Sequence, residues 1–507
     1  MDGSVFFKQL ALRTSAIFLV KLLGFLARIP LFRLLGSEGI GLYQMAYSVY
    51  GLILTLLIGG FPTALAISTS KNSSQGWRLF QRTSVILFIL CSIVVWILLR
   101  LSVDIAVMFG DPELDFAIRC LAPAVLIVPI LSLFRGYLQG LEWFGAIALS
   151  EIVEQIVRTG IMVFLAWFWI DHGMSIAVGG ATFGAFVGSL AALFFLSFFF
   201  SWRGNQEGPL QSFIKKDFMT LDPNMVLYLS TSLAIASTRL LIPVSDFLDA
   251  LIVPHRLQDA GMTTSAATSL YGEISGMAIT IVYIPTIITA ALTHTMTSKM
   301  TLDWQEKKVL RFTTRARGAL AVGWLWGIGS GMFLYFFAKE VSLLLFGTEN
   351  IAKAIQLLSI APLIGGMRDI STSILWIIGK RRAPLIGLIL GIVLSIIFNY
   401  YLIAMPGMSY IGIVLGLLSI DFFSSVCNLL ILHKSNLKIP MPSFILEGVG
   451  FVLILYVSFT VIQWLIHSSS FSPLIKSILQ MTIFYGIIGL SLFIRFFKFN
   501  QLTNFRR

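Results

Sequence analysis

Two cations lie on one face of the first long apolar segment of the sequence. Lys21 and Arg28 are seven residues apart, which is two turns of an α-helix, so their side chains project in the same direction. A cation near the centre of a membrane helix costs about 2.5–3.5 kcal/mol on insertion scales and is found mainly where it faces water or an anion. A guanidinium fork and a compact ammonium together suit a diphosphate. The pair therefore predicts an anion site inside a membrane; the alternative is that Arg28 reaches the interface and Lys21 forms a structural ion pair.

A second charged stripe occurs in the segment 147–170. Glu151, Glu154 and Arg158 are spaced i, i+3 and i+7, which places all three on one face of a helix. Ionisable groups in such a helix face the interior of a bundle. The stripe predicts an ion-pair network around a cavity, in which Glu154 neutralises Arg158 within the helix. The alternative is a purely structural pair that sets the packing of one lobe.

Arg239 and Asp246 repeat the seven-residue spacing later in the chain, with Pro243 between them. Proline removes a helical hydrogen bond, so the helix is expected to break there and to free backbone carbonyls. Arg239 is the third cation of the predicted diphosphate site. Asp246 also belongs to the predicted ion-pair network, and with Asp249 and Asn399 it forms a candidate site for Na⁺ or a proton.

Arg368 and Asp369 complete the predicted cavity network. Adjacent residues on a helix point about 100° apart, so a direct ion pair between these two is not expected. Arg368 then needs another partner, and Asp421 in a later apolar segment is the candidate. Glu273 lies in the first turn of its segment and is predicted to be solvated.

The composition places these charges in a membrane protein. Of the 507 residues 57% are hydrophobic and 12% are charged, and the mean hydropathy is +0.89, which excludes a soluble globular or a disordered chain. The three cysteines have no CxxC spacing and the five histidines are scattered, so no metal site is predicted. The sequence contains no GxxxxGK[ST], HExxH or GxSxG motif. We therefore predict no ATP hydrolysis, no cofactor and no catalytic residue.

Long apolar runs predict an all-α polytopic fold with about fourteen transmembrane helices. Each run has about 18 residues or more and is bounded by charges or by Pro and Gly. The predicted segments are 14–32, 41–68, 82–101, 116–134, 147–170, 176–200, 224–250, 270–296, 316–337, 354–378, 384–404, 410–432, 444–466 and 474–494.

Lys and Arg are concentrated in alternate loops. With a cytoplasmic N-terminus, the inner segments hold 24 of the 36. The positive-inside rule therefore predicts that both termini are cytoplasmic. The net charge of +12 is explained by topology and by contact with anionic membrane lipids, so no nucleic-acid partner is predicted.

An internal repeat organises the segments. Residues 41–71 and 269–299 have equal length, align without a gap and both end in Thr-Ser-Lys. The first stretch contains the second predicted segment and the other contains the eighth, and each follows a loop. Segments 1–6 and 7–12 are therefore expected to form two pseudo-symmetric six-helix lobes in parallel orientation. The predicted domains are an N-lobe at 1–201, a cytoplasmic linker at 202–223, a C-lobe at 224–433, and 434–507 with two C-terminal helices and the cytoplasmic tail.

Several short motifs occur together in the chain, among them Phe134-Arg135-Gly136-Tyr137, Glu154-Gln-Ile-Val-Arg158 and the Lys21 to Pro30 run. As a set they resemble the SpoVB group of polysaccharide and lipid-linked sugar flippases. That group is related to lipid II flippases and MATE carriers, so the resemblance implies two six-helix lobes around a central cavity and a C-terminal groove for a prenyl tail. The chain differs from the lipid II flippase pattern at Lys21, where Arg is usual, and at Ile29, where an acid commonly stands.

The resemblance implies a bacterial flippase rather than an enzyme. It would move a polyprenyl-diphosphate-linked saccharide, such as a peptidoglycan precursor, from the cytoplasmic to the outer leaflet by alternating access. A role in spore cortex, partners among cell-wall or spore-cortex synthesis proteins, and a monomer in the cytoplasmic membrane are expected on the same basis. The membrane potential, Na⁺ or H⁺ is expected to supply the energy. The alternatives are a housekeeping lipid II flippase, a cation-coupled drug exporter and, from another class, a membrane-embedded glycan transferase.

Overall fold

The chain is helical throughout its described parts. The computed structural model describes residues 3–204, 223–435, 441–467 and 471–504, and these ranges contain helices and no strand. Lys21 is placed in a helix, but its side chain lies outside the described set. The all-α polytopic fold predicted from the composition is confirmed.

The helices fall into two compact units, Met1–Gly272 and Glu273–Arg507. The first unit contains α1 Gly3–Ile58, α2 Phe61–Lys71, α3 Ser73–Met108, α4 Leu114–Gly140, α5 Phe144–Trp169, a 3₁₀ turn Ile170–His172, α6 Met174–Gly204, α7 Pro223–Arg239, α8 Leu241–Asp259 and α9 Thr264–Tyr271. A π-helical turn, Gly272–Ala278, follows α9. The second unit contains α10 Ile279–Val282, α11 Thr286–Gln305, α12 Val309–Phe336, α13 Ala338–Phe346, α14 Ala352–Leu358, α15 Ala361–Ile377, α16 Arg382–Leu402, α17 Ser409–Lys434, α18 Met441–His467 and α19 Pro473–Asn504.

The predicted domain boundary and the boundary between the units differ. The predicted linker at 202–223 lies largely outside the described residues, and the contacts place α7, α8 and α9 with α1–α6 in the first unit. Helix α7 packs against α2, and α8 and α9 pack against α1. The first unit therefore includes α7, the helix that follows the predicted linker. The two six-helix lobes of the repeat stay a prediction.

In the described part of the chain, ten helices are long and apolar enough to cross a membrane, or up to twelve if each of two bent pairs is one span. Every one of the fourteen predicted segments overlaps a helix. The first two predicted segments are joined in α1, and the tenth corresponds to α15, which has only 17 residues. The count of fourteen crossings stays a prediction.

The break between the first two predicted segments falls at Gly36. Its backbone angles, φ 61° and ψ −169°, interrupt the helical geometry of α1 and belong to a region that essentially only glycine adopts. The same glycine begins the Gly-Ser-Glu-Gly run that separates the two apolar stretches in the sequence. A side chain at this position would resist the bend that lets one helix serve as two segments.

Backbones approach closely where α2 begins against α7. A Cβ added at Gly60 would lie 1.8 Å from the carbonyl oxygen of Ser232, and one added at Gly136 would lie 2.5 Å from the carbonyl oxygen of Pro62. Small residues at helix contacts allow such approach, which is a common way for membrane helices to associate. Both α4 and α7 therefore pack against the start of α2.

We predict that Gly60→Ala lowers the free energy of unfolding by about 1–3 kcal/mol, because the added methyl must push α7 away from α2. The measurement is equilibrium unfolding of the purified protein in mixed micelles. The matched control is Gly51→Ala on α1, where a Cβ meets no atom within 4 Å and alanine is the better helix former. Equal effects of the two substitutions would contradict the assignment of Gly60 as a packing position.

The second unit has its core where α11, α12, α15, α17 and α18 meet. Large members of that core are Phe312, Met367, Ile374 and Phe444, all buried. The two C-terminal helices pack on α12, where the rings of Phe336 and Phe459 stack with centroids 4.2 Å apart. Helices α18 and α19 are thus integral to the second unit.

Candidate functional site

A polar cavity of about 410 Å³ lies within the first unit. Its walls come from α1, α2, α4, α5 and α7 together with the α1–α2 junction. The polar side chains that line it are Thr55, Ser132, Arg135, Gln139, Glu151 and Arg239. Two guanidinium groups and one carboxylate among its described lining residues make the cavity suited to an anion.

Arg239 is the last residue of α7, at the point where the chain bends by 45° into α8. Its Nη1 donates to the carbonyl oxygen of Gly59 (2.9 Å) and its Nη2 to Oγ1 of Thr63 (3.1 Å). Both acceptors are neutral, and no salt bridge of Arg239 is found in the described ranges. The side chain is exposed to the cavity, so its charge remains available to a ligand. The expected helix break is confirmed and begins at Leu240, three residues before Pro243.

Arg135 is a cavity residue that the sequence analysis did not select. On α4, its Nη1 pairs with Oε2 of Glu154 (2.7 Å) and its Nε donates to Oγ of Ser150 (3.0 Å). This arginine lies one residue past the predicted segment 116–134, although the Phe134-Arg135-Gly136-Tyr137 motif marks it. The glycine next to it meets the backbone of Pro62, which holds Arg135 at the cavity wall.

The predicted partner of Glu154 is wrong, because this carboxylate pairs with Arg135 across to α4. Arg158 instead donates from Nη2 to the hydroxyl of Tyr47 on α1 (3.0 Å), and its guanidinium lies 5.4 Å from the centre of that ring. Helix α5 packs against both α1 and α4, so Glu154 and Arg158 each find a partner on a neighbouring helix. The stripe is on one face as expected, and Glu151 lines the cavity.

The two cations of the first segment are not among the lining residues of this cavity. Arg28 has an exposed side chain on α1, and the side chain of Lys21 lies outside the described residues. Of the three residues predicted to bind a diphosphate, the structure therefore places Arg239 on the cavity wall. A role for Lys21 and Arg28 stays a prediction.

In the second unit, Arg368 bridges two carboxylates. It pairs with Asp421 on α17, which confirms that predicted partner. It also pairs directly with Asp369, with 2.9 Å between Nη2 and Oδ1, so the expectation that adjacent residues do not meet is wrong. The arginine side chain is long enough to fold back over its neighbour, so the 100° between the two Cβ directions does not prevent the ion pair. The hydroxyl of Tyr283 donates to the other oxygen of Asp421 (2.5 Å).

The candidate cation site is divided between the units. Asp246 is exposed and Asp249 is buried in the first unit, whereas Asn399 is buried in the second. No group of three metal-binding side chains is found among the residues that the structure describes. Glu273 is half-buried and accepts a hydrogen bond from the hydroxyl of Tyr410 (3.4 Å), so it is not simply solvated as predicted. The Na⁺ or proton site stays a prediction.

Comparison with known proteins adds relatives to this geometry. Stage V sporulation protein B of Bacillus subtilis (strain 168) is 26% identical over 431 residues, which cover 83% of this chain and 82% of the relative. Lipid II flippase MurJ of the same organism is 24% identical over 424 residues, covering 77% of this chain and 76% of the relative.

Two solved structures have the same fold. One is lipid II flippase MurJ in an inward closed conformation, with a TM-score of 0.66 and 15% identity over 96% of this chain and 99% of that chain. The other is an inward-facing multidrug resistance MATE family transporter of the MOP superfamily, with a TM-score of 0.67 and 14% identity over 84% of this chain and 98% of that chain. At these identities the likeness shows the fold, which is the MATE and MurJ fold that the resemblance implied.

A family model described as polysaccharide biosynthesis protein matches residues 6–296, which is more than half of the sequence. The match covers the first unit from residue 6 onward, including every lining residue of the cavity wall. The resemblance to the SpoVB group is confirmed by this match and by the relatives. The chain therefore belongs to the polysaccharide biosynthesis protein family.

Proposed function

We propose that the protein is a flippase that moves a polyprenyl-diphosphate-linked saccharide from the cytoplasmic to the outer leaflet by alternating access. The observation that carries the proposal is Arg239, a cation held by two neutral acceptors on the wall of a polar membrane cavity. Such a cation is costly in a membrane unless an anion reaches it. A diphosphate supplies that anion, and Lys21 and Arg28 are proposed as its further contacts.

A prenyl tail has a matching surface in the second unit. An apolar groove of about 350 Å³ lies between α12 and α18, with Trp324 and Ile328 on one wall and Gly448, Val449 and Val452 on the other. Gly448 lets the indole of Trp324 approach, since a Cβ there would lie 2.7 Å from its Nε1. The groove supports a lipid substrate over a water-soluble one.

The charge of the cavity disfavours the drug-exporter alternative. A lipophilic cation would face Arg135 and Arg239, whereas Glu151 is the one carboxylate among the described lining residues. Like charges inside a low-dielectric cavity repel strongly. The transferase alternative lacks support from the family, whose named relatives include a lipid II flippase.

Membrane potential is the proposed source of energy. An inside-negative potential supplies about 2.3 kcal/mol per charge per 100 mV, and an anionic headgroup moving outward moves down this gradient. No ATP is needed on this account. Coupling to Na⁺ or H⁺ through Asp246, Asp249 and Asn399 remains a second proposal for the same step.

The cellular role that we propose is the supply of a peptidoglycan precursor, with spore cortex as the specific pathway. A relative bears the name stage V sporulation protein B, and another is a lipid II flippase. The protein would act as a monomer in the cytoplasmic membrane with both termini inside, in contact with anionic lipids and with cell-wall or spore-cortex synthesis proteins. A housekeeping lipid II flippase is the neighbouring alternative.

The test is leaflet-specific labelling of lipid-linked precursors in cells depleted of the protein. We expect the precursor to accumulate in the cytoplasmic leaflet, unchanged in covalent structure, and to return to the outer leaflet when the wild-type chain is restored. Altered glycan composition would instead support a transferase. Normal outer-leaflet labelling in cells that have lost the protein under sporulating and vegetative conditions would contradict the proposal.

A further inference from the structure

Arg135 is held on two of its three nitrogen atoms. Nη1 pairs with Glu154 and Nε donates to Ser150, whose hydroxyl in turn donates to the carbonyl oxygen of Ile147 (2.7 Å). Nη2 is out of contact with water and has no hydrogen-bond partner in the described parts of the chain. An unsatisfied donor of a charged group is unfavourable. The pair with Glu154 therefore leaves one donor of Arg135, Nη2, without an acceptor beside the cavity.

Glu154 has a second cation within reach along its own helix. Arg158 follows it by four residues, the spacing at which a carboxylate N-terminal to a cation pairs well. In the described ranges Arg158 takes part in no ion pair, and its side chain is held by the neutral hydroxyl of Tyr47. The Glu154 carboxylate is paired with Arg135 and forms no ion pair with this guanidinium in the described ranges.

We infer that Arg135, Glu154 and Arg158 form a partner-exchange relay for an anionic phosphate group. When the phosphate enters the cavity, Arg135 turns from Glu154 to the phosphate oxygens, and Glu154 moves to Arg158. The ligand class rests on the proposed function, since a diphosphate is the anion of the proposed substrate. The relay assigns Arg135 a binding role, and Glu154 and Arg158 positioning roles.

Charge compensation favours this exchange over simple displacement. Removing the partner from a half-buried carboxylate leaves a charge that is costly away from water, and both Arg135 and Glu154 have less than a fifth of their side chains exposed. Arg158 accepts that carboxylate, so Glu154 has a cationic partner in both arrangements. The bound state satisfies Nη2 of Arg135 as well, because a phosphate accepts two parallel hydrogen bonds from one guanidinium.

The exchange also connects the cavity to α1. Arg158 reaches α1 through Tyr47, whose ring lies 4.4 Å from that of Tyr43 on the same helix. If Arg158 turns to Glu154, it releases the Tyr47 hydroxyl. Binding in the cavity thereby loosens a contact between α5 and the helix that carries Arg28.

The experiment measures binding of inorganic diphosphate to the full chain in lipid nanodiscs by calorimetry, at fixed ionic strength. We expect Arg135→Gln to weaken binding about tenfold or more, since it removes hydrogen bonds to a charged ligand. Glu154→Gln should strengthen binding severalfold, because Arg135 then has no competing carboxylate. The matched control is Arg119→Gln on the same helix, whose arginine also contacts a carboxylate and a serine but does not line the cavity.

Arg158 provides the decisive measurement because it is not among the cavity-lining residues. Arg158→Gln should weaken diphosphate binding severalfold in the wild-type background and have no effect in the Glu154→Gln background, a coupling that a merely structural role does not give. Tyr47→Phe, which keeps every charge, should strengthen binding because Arg158 is released in advance. This second variant keeps the test valid if Arg158→Gln does not fold.

Equal effects of Arg158→Gln in both backgrounds, or unchanged binding in Tyr47→Phe, would overturn the relay. Absence of diphosphate binding by the wild-type protein would overturn it too, while leaving the flippase proposal to be decided by leaflet labelling. Conversely, a coupled binding cycle in a protein whose loss leaves leaflet labelling normal would support the relay and reject the flippase function.

Discussion

Arg239→Gln lowers the rate at which lipid-linked precursor reaches the outer leaflet about tenfold or more, at normal protein abundance. The glutamine keeps polarity but loses the charge that faces the cavity and the two donors now aimed at Gly59 and Thr63. Because those acceptors are neutral, the substitution leaves no buried carboxylate behind, and folding should be largely preserved. The measurement is leaflet-specific labelling in cells whose sole copy carries the substitution.

The controls for Arg239 separate charge from geometry. Arg239→Lys keeps the charge but loses the planar two-donor fork, so an intermediate rate is expected. Arg256→Gln removes another arginine of the same unit, one that pairs with Asp259 and does not line the cavity, and should leave the rate within about twofold because surface pairs contribute little. A wild-type rate in Arg239→Gln would exclude the cavity as the substrate site.

Helical spacing was sufficient to predict which charges share a face. The stripe on α5, the break after Arg239 and the Arg368–Asp421 pair all follow from residue type, period and the cost of charge in a membrane. Each of these features is decided either by the geometry of a single helix or by the requirement that a charge inside a membrane protein has a partner.

Partner identity could not be predicted from the sequence alone, because it depends on which helices become neighbours. Glu154 is four residues from Arg158, yet Arg135 on α4 is closer in space and takes the carboxylate. Arg135 itself lies one residue past the predicted segment 116–134, because the apolar run ends at this charge, whereas α4 continues to Gly140. Its motif, with a glycine pressed against Pro62, was the available signal.

The same limit explains the boundary between the units. Repeat alignment groups segments by descent, whereas the contacts group them by packing, and α7 packs on α2 through Gly60. The aligned segments 41–71 and 269–299 include Gly60 but not its contact Ser232, so their alignment does not identify this contact. A sequence repeat therefore predicts how many segments correspond, and the side chains at the contacts decide which helices form a unit.

The largest effect on stability is expected in the second unit, at Arg368. Arg368→Gln removes the cation from Asp421, whose side chain is only 3% exposed and is held in place by the hydroxyl of Tyr283. Breaking a buried pair by removing one partner typically costs about 3–5 kcal/mol, because the remaining charge is uncompensated. Asp369 contributes little to this loss, since 36% of its side chain is exposed to solvent. The measurement is equilibrium unfolding of the purified protein in mixed micelles.

Removing both charges should restore most of that stability. In the double variant Arg368→Gln with Asp421→Asn, the amide oxygen still accepts from Tyr283 and no buried charge is left, so most of the loss is recovered. The matched control is Arg495→Gln between α18 and α19, whose pair with Glu447 has both side chains about 40% exposed and should contribute less than about 1 kcal/mol. If Arg368→Gln is no more destabilising than Arg495→Gln, the pair with Asp421 does not stabilise the second unit, and its contact with Tyr283 must then be explained by transport instead of folding.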